Sequence, residues 1–305
     1  MHPAVSVIFF TVTSGAGLGL IFLIALGWPM HGGLIPAFLV SLLAGGLTVA
    51  GLLSSTFHLG HPERAWRAFS QWRSSWLSRE GVLAVITLVL FAIYALVWMF
   101  TGKRLSALGF PIAIFAALTV YATAMIYAQL KTVPNWHSAL TPLCYLSFAL
   151  ASGLVLASTV GQTEMIASLP VSVITALALV AAWIAKLLWW NRADKVGFSD
   201  TGSNTGTATG LGHLGKVKLL EKPHSGENYL TREMVHQIGR KHARKLRLIA
   251  LVLGLALPLL LCFLALSTGW TTLLLLIAFV SMMAGLFAER WLFFAEAKHA
   301  VSLYY

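Results

Sequence analysis

The sequence predicts an all-α integral membrane protein with eight transmembrane helices, and two observations carry that prediction. Hydrophobic residues make up 58% of the 305 and charged residues only 10%, and the mean hydropathy of +0.81 is far too apolar for a soluble domain. The apolar residues also gather into eight runs of about 20, the length a helix needs to cross a hydrocarbon core of roughly 30 Å. Helices satisfy their own backbone groups in lipid, and the alternating short strands of a membrane barrel are absent.

In chain order the runs cover residues 4–28, 34–57, 82–100, 108–130, 140–160, 169–190, 246–266 and 270–294. Only Met1-His2, without Lys or Arg, precedes the first run, and no small-residue cleavage site follows it. It is therefore expected to remain as helix 1. Its Ser14-Gly15-Ala16-Gly17-Leu18-Gly19 string lies mid-membrane, outside the strand–helix setting of a dinucleotide fingerprint. Gly15 and Gly19 are read as close-packing positions, as are Gly45, Gly46 and Gly51 in helix 2. Trp28-Pro29-Met30-His31 is a short outer turn. Helix 2 stays apolar until Ser54-Ser55-Thr56-Phe57-His58, and Pro62 marks the end of regular helix.

Arg64, Trp66, Arg67, Trp72, Arg73, Trp76 and Arg79 then alternate, a mixture that interfacial anchoring explains by itself. Glu80 opens helix 3, where a carboxylate is favourable at a helix N-terminus. Helix 4 gives way after Lys131 to Thr132-Val133-Pro134-Asn135-Trp136-His137, with Trp136 expected at headgroup depth. Lys186, late in helix 6, is expected to snorkel to the basic side. Residues 192–246 form a basic soluble loop: 199–215 is Gly/Thr/Ser-rich and cannot build a core, and Thr231 is the expected N-cap of an interfacial helix. Met234 and Ile238 share one face of that helix, against Arg240, Lys241, Arg244 and Lys245. Helix 8 finishes with Ala288-Glu289-Arg290-Trp291 near the same edge. Two four-helix bundles, 1–131 and 132–305, are the expected architecture.

Net charge is +11, and its placement sets the topology. Eight spans put both termini on one side, together with loops 2–3, 4–5 and 6–7. That side holds 19 of the 21 Lys and Arg, and the other only Lys103 and Arg104. The positive-inside rule then puts both termini in the cytoplasm, and omitting the long loop 6–7 still leaves seven against two. The basic surface suits anionic lipid or an acidic protein partner. Nucleic acid is not an expected partner, because nothing resembles a binding module. Cys144 and Cys262 sit inside helices 5 and 7 without a C-x-x-C, so no iron–sulfur cluster and no other metal is expected in this chain.

The stretch 54–81 is where His, Glu, Arg and Trp crowd between two apolar runs: His58 ends one, Glu80 begins the next, and Arg64, Arg67, Arg73 and Arg79 lie between. His58, with a reference pKa near 6.5, can hydrogen-bond a quinone carbonyl in either protonation state. Glu80 can relay protons from the cytoplasm. Arg64 either holds an anionic quinone or docks a partner, and Phe57 and Trp66 offer flat apolar walls. Residue types alone leave open that His58 merely satisfies a helix C-terminus and that Glu80 merely caps helix 3.

Several ordered motifs resemble the membrane anchor subunit of the dimethyl sulfoxide reductase family. They are His2-Pro3-Ala4 with Ser6 and Thr11, Phe57-His58-Leu59-Gly60 with Pro62 and Arg64-Ala65, and Ser78-Arg79-Glu80. Thr132-Val133-Pro134 with Trp136, Thr141-Pro142, and Arg290 to Phe294 complete the set. The resemblance implies eight helices and a complex of three subunits: a molybdopterin catalytic subunit, a four-cluster iron–sulfur subunit, and a haem-free anchor exchanging electrons with quinone, ubiquinone or menaquinone. It also implies that His58 and Glu80 belong to the quinone site. The arginine-rich loop between them is expected to dock the iron–sulfur partner through Arg67 and Arg73. The best-known dimethyl sulfoxide reductases carry their catalytic subunit outside the cytoplasm, whereas the charge count here puts docking inside. A similar cytoplasm-facing anchor serves a sulfite-oxidising, quinone-reducing complex of sulfur-oxidising bacteria. The expectation is thus quinone reduction coupled to cytoplasmic sulfite oxidation at the bacterial inner membrane.

Other readings compete with this one. Haem wants two inward axial ligands, yet His2, His58, His61, His137 and His299 all lie near one face and His31 stands alone on the other. A secondary transporter places polar groups at the midplane, and here they gather at one edge. The remaining alternatives are a quinol-oxidising anchor of a terminal reductase and a purely structural anchor.

Overall fold

The computed structural model describes residues 4–29, 33–58, 61–161, 165–166, 169–221, 242–268 and 271–303, the side chains of 58, 161, 165, 166 and 169 excepted. Among these residues, eight helices are long and apolar enough to cross a membrane. They are α1 (Val5–Ala25), α2 (Leu34–Ser54), α3 (Trp76–Thr101) and α4 (Ser106–Ala128). Then come α5 (Leu140–Gly161), α6 (Val171–Lys195), α7 (Ala243–Ser267) and α8 (Thr271–Ala295). The helix count expected from the hydropathy runs is met. A two-residue hairpin, Met165–Ile166 with Leu169–Pro170, links α5 to α6.

Helix α1 is the centre of the bundle. It is apolar all round, the signature of a helix with no solvent face, and it is the most deeply buried of the eight spans. It packs against α2, α4, α5 and α8, while α3 lies on α2 and α4, and α6 and α7 lie outside α5 and α8. One continuous apolar core runs through helices of both halves of the chain. Close approach on α1 depends on glycine at Gly19, where a Cβ would run into the Ala149 carbonyl, and facing Gly153 would likewise meet the Gly19 backbone. Gly51 abuts Thr13 and Ser14, as expected. Gly15 and Gly46 do not serve that way: no atom lies within 4 Å of a Cβ built on either.

Local chemistry sets the helix ends. The Ser75 side chain caps α3 by accepting from the Ser78 N–H at 3.5 Å, and Gly102 closes it in the left-handed region at φ 66°, its N–H on the Trp98 carbonyl. The helix therefore starts six residues before its apolar run. Glu80 is its fifth residue and neither opens nor caps it. Helix α7 contains a π-helical turn at Val252–Ala256, which frees backbone carbonyls. Trp183 Nε1 donates to the Gly254 carbonyl (2.9 Å), and the Ser281 hydroxyl to that of Leu253 (2.7 Å).

Trp136 is not turned to lipid. It is 2% exposed, stacks on Phe293 with centroids 5.2 Å apart, and donates Nε1–H to the Phe293 carbonyl at 2.8 Å. Asn135 Nδ2 donates to the Ala193 carbonyl at 3.0 Å, and Arg192 NH2 to that of His137 at 2.8 Å, so loop 4–5 is clamped between α6 and α8. Beyond α6 the chain forms short helical turns, Phe198–Thr201, Thr205–Thr209 and Gly212–Leu214, with little buried. Of the basic helix expected from Thr231 through Arg247, the part up to Lys241 lies outside the described residues, and Ala243 to Arg247 form the start of α7.

Candidate functional site

The carboxyl of Glu80 is turned into the bundle. The residue is 4% exposed, and its Oε1 meets the hydroxyl of Thr123 on α4. That hydroxyl also lies 3.0 Å from the Thr119 carbonyl. One hydroxyl proton thus faces two acceptors. With the proton on Glu80, the carboxylate is satisfied. With it on Thr119, the same oxygen can accept from the acid form. The pair suits both protonation states of Glu80, as a group that loses and regains a proton requires. One turn deeper, the Thr87 and Thr119 hydroxyls meet at 3.2 Å and continue the α3–α4 seam. Sequence reasoning misses Thr123. The signal that points to it is Thr119 and Thr123 four apart on an otherwise apolar helix, one helical face.

The junction before α3 is a pair of 3₁₀ turns, Ser55–His58 and Pro62–Phe69. His58 ends the first turn, and its side chain is outside the described set. The Phe69 ring packs over Gly81, placing the second turn against the start of α3. Arg64 is half exposed and pairs with Glu63 at 3.8 Å, which itself holds His61 at 3.0 Å. The structure therefore does not bring Arg64 to the Glu80 carboxyl. Arg67 and Arg73 stack over Trp66 and Trp72 at 5.6 and 5.3 Å. Phe57, Trp66, Phe69 and Trp72 are exposed. This set of exposed Trp and Arg has the composition of a protein-binding surface. Arg79 differs: it donates to the Trp72 and Arg73 carbonyls (3.1 and 2.7 Å) and covers Trp76, fixing the loop end.

A second polar centre lies where only snorkelling was expected. Lys186 does not reach the surface. It is 1% exposed and pairs with Glu289 of α8, which is 0% exposed. Arg290 lies 3.5 Å from the other oxygen of Glu289 and covers the Tyr145 ring at 3.8 Å. Lys186 covers Trp189 at 3.8 Å. A lysine on an exposed helix face and one facing a partner helix read alike in one dimension. The separating signal is the tryptophans after Lys186 and the Glu289-Arg290 pair on the last helix. Nearer the bundle end, Arg247 bonds Asp194 through both terminal nitrogens (2.7 Å each) and reaches Glu296 at 2.9 Å.

Among the described residues, no group of three or more His, Cys, Asp or Glu could hold a metal ion. The arrangement sets a buried carboxyl with a hydroxyl partner at Glu80 beside an exposed loop rich in Arg and Trp.

Comparison with known proteins gives the family. Over its whole length the chain is 35% identical to a sulfite dehydrogenase subunit of Allochromatium vinosum, covering 99% of that protein. Over 43% of its length it is 32% identical to Anaerobic dimethyl sulfoxide reductase chain YnfH of Escherichia coli K12, covering 48% of that chain. No solved structure matches it. The family model described as DMSO reductase anchor subunit (DmsC) matches residues 1–295. With eight membrane-spanning helices and a match over nearly all of its length, this chain belongs to the DMSO reductase anchor subunit family.

Proposed function

We propose that this chain is the quinone-reactive anchor of a molybdopterin and iron–sulfur oxidoreductase, passing electrons from a four-cluster iron–sulfur subunit to quinone during sulfite oxidation. The observation that carries the reading is the buried Glu80–Thr123 pair, one turn below an exposed loop rich in Arg and Trp. The chain around it is 35% identical along its full length to the sulfite dehydrogenase subunit of Allochromatium vinosum.

Reducing one quinone takes two electrons and two protons. The partner's clusters supply the electrons, and this chain's side chains hand over the protons. Glu80 delivers and regains a proton, and His58 hydrogen-bonds the quinone oxygen at the same membrane edge. Arg64, Arg67 and Arg73 are docking residues, which the exposed position of all three supports. With 19 of 21 cations on the side of this loop, the docking face and both termini lie in the cytoplasm and the bundle in the bacterial inner membrane. A division at residue 131 keeps Glu80 and Thr123 in one N-terminal bundle. The family match favours an anchor over a transporter.

In the assembled complex, His58→Ala and Glu80→Gln each lower sulfite-driven quinone reduction by roughly 100-fold, the scale of a placed acid–base group. Co-purification of the subunits stays unchanged. Wild-type rates in an assembled double variant would refute the site. The reverse reading, a quinol-oxidising reductase, has the partial likeness to YnfH in its favour. It requires quinol-driven dimethyl sulfoxide reduction by the same membranes, where the favoured reading expects sulfite-driven quinone reduction.

A further inference from the structure

A small cavity opens between α1, α4, α5 and α8, lined by Thr11, Ser14, Gly15, Thr123, Tyr145 and Arg290 among others. About 20 Å³ of it is open to the centres of water molecules, above the roughly 10–15 Å³ that one water needs. It therefore has room for a water or two and none for a quinone ring. A buried water also needs two to four polar partners, and the walls supply them. The Thr11 and Ser14 hydroxyls donate to carbonyls of their own helix (3.1 Å to Ile8, 2.6 Å to Phe10), leaving their oxygens free to accept. Arg290 Nε is buried without a hydrogen-bond partner among the described residues. The Tyr145 hydroxyl lies beside the Arg290 guanidinium without making a well-formed hydrogen bond to any described residue. Both residues are 4% exposed.

Two of the lining residues lead on to ionisable groups. Thr123 holds Glu80, and Arg290 touches Glu289, which touches Lys186. That cluster sets two cations against one carboxylate, in a setting where unmatched charge is costly. When Glu80 gives up its proton, the new negative charge lies beside the same cavity as this surplus positive charge. Tyr145 is within electrostatic reach of both Glu80 and Arg290.

We propose that this cavity is a water-filled proton connection between Glu80 and the buried Lys186–Glu289–Arg290 cluster, with Tyr145 and Arg290 holding the water. The inference rests on the quinone reading of Glu80. Each proton that Glu80 passes to a reduced quinone is replaced through this water from the Lys186–Glu289 pair, which regains it from the aqueous phase at the partly exposed Asp194–Arg247–Glu296 group beyond Trp190, while the electrons still come from the partner. Gly15 gives a clean test, because it lines the cavity and a Cβ built there meets open space rather than a neighbouring helix.

The experiment compares wild-type, Gly15→Val and Tyr145→Phe complexes in membranes, with sulfite as donor. The acceptor is either a short-chain quinone or ferricyanide, which takes electrons from the soluble subunits directly. Both variants are expected to lower quinone-linked kcat, Gly15→Val by roughly 100-fold. The KM for quinone and the ferricyanide rate should stay at wild-type values. A wild-type kcat in Gly15→Val overturns the proposal, and so does a changed KM with kcat intact. Should either variant fail to assemble, radiolytic hydroxyl labelling of the wild-type complex decides. Modification of Tyr145 and Leu286 supports internal water, and its absence overturns the proposal. If wild-type membranes reduce ferricyanide and no quinone, the quinone reading fails instead, and the proton connection fails with it.

Discussion

Glu289 sits between two cations, and that count makes its removal worse than the removal of either neighbour. Glu289→Gln leaves Lys186 and Arg290 buried together without an anion. Lys186→Met leaves a matched Glu289–Arg290 pair. Stripping the partner from a buried charge costs about 3–5 kcal/mol, so Glu289→Gln should lose about that much stability and Lys186→Met distinctly less. Denaturation of the purified protein in detergent reads the order, and an equal or reversed order would contradict the arrangement. Sequence shows these residues less well than it shows Glu80, for a physical reason. Glu80 stands out because its neighbours in the chain are polar. Lys186 and Glu289 are 103 positions apart, and each looks like a charge near a helix end that could reach water. Only their meeting face to face, away from water, marks them.

At the scale of elements, glycines in apolar helices divide by what faces them. A Cβ on Gly153 would meet the backbone of Gly19, whereas one on Gly46 would meet nothing within 4 Å. Gly153→Ala should therefore force α1 and α5 apart, at about 1–3 kcal/mol for overpacking. Gly46→Ala should be neutral or gain up to about 1 kcal/mol from helix propensity. Thermal midpoints of the two variants check the contrast. The helices themselves were legible, since composition and run length fix their number. Their ends were less so: α3 begins with Trp76-Leu77-Ser78-Arg79, a polar turn that a search for apolar runs passes over, and the helix cap at Ser75 recovers it. Trp136 likewise has the composition of a lipid-facing anchor and the environment of a core residue. Its motif reflects packing on Phe293 and a bond to that residue's backbone.

For the molecule as a whole, the loop proposed to dock the partner supplies the sharpest expectation. Arg67 and Arg73 spread over exposed tryptophans and make no ion pair among the described residues. Arg67→Glu with Arg73→Glu should weaken association with the soluble subunits by roughly tenfold or more, since like charges set against a complementary surface cost several kcal/mol. The effect should shrink as salt rises. Co-purification at two ionic strengths reads it, and undiminished association after reversal would move the interface elsewhere.

The central position of α1 bears on how such a chain comes into being. The first span to leave the ribosome is the one that touches α2, α4, α5 and α8, and the last of these is completed 270 residues later, at Ala295. At roughly 5–20 residues per second, α1 waits on the order of 15–50 s in the bilayer before its final neighbour arrives. Until then its small-residue faces are open to lipid and to other nascent helices. Closure of the bundle around it is a late event of biogenesis, because the earliest of these eight spans stays incompletely enclosed until the eighth is made.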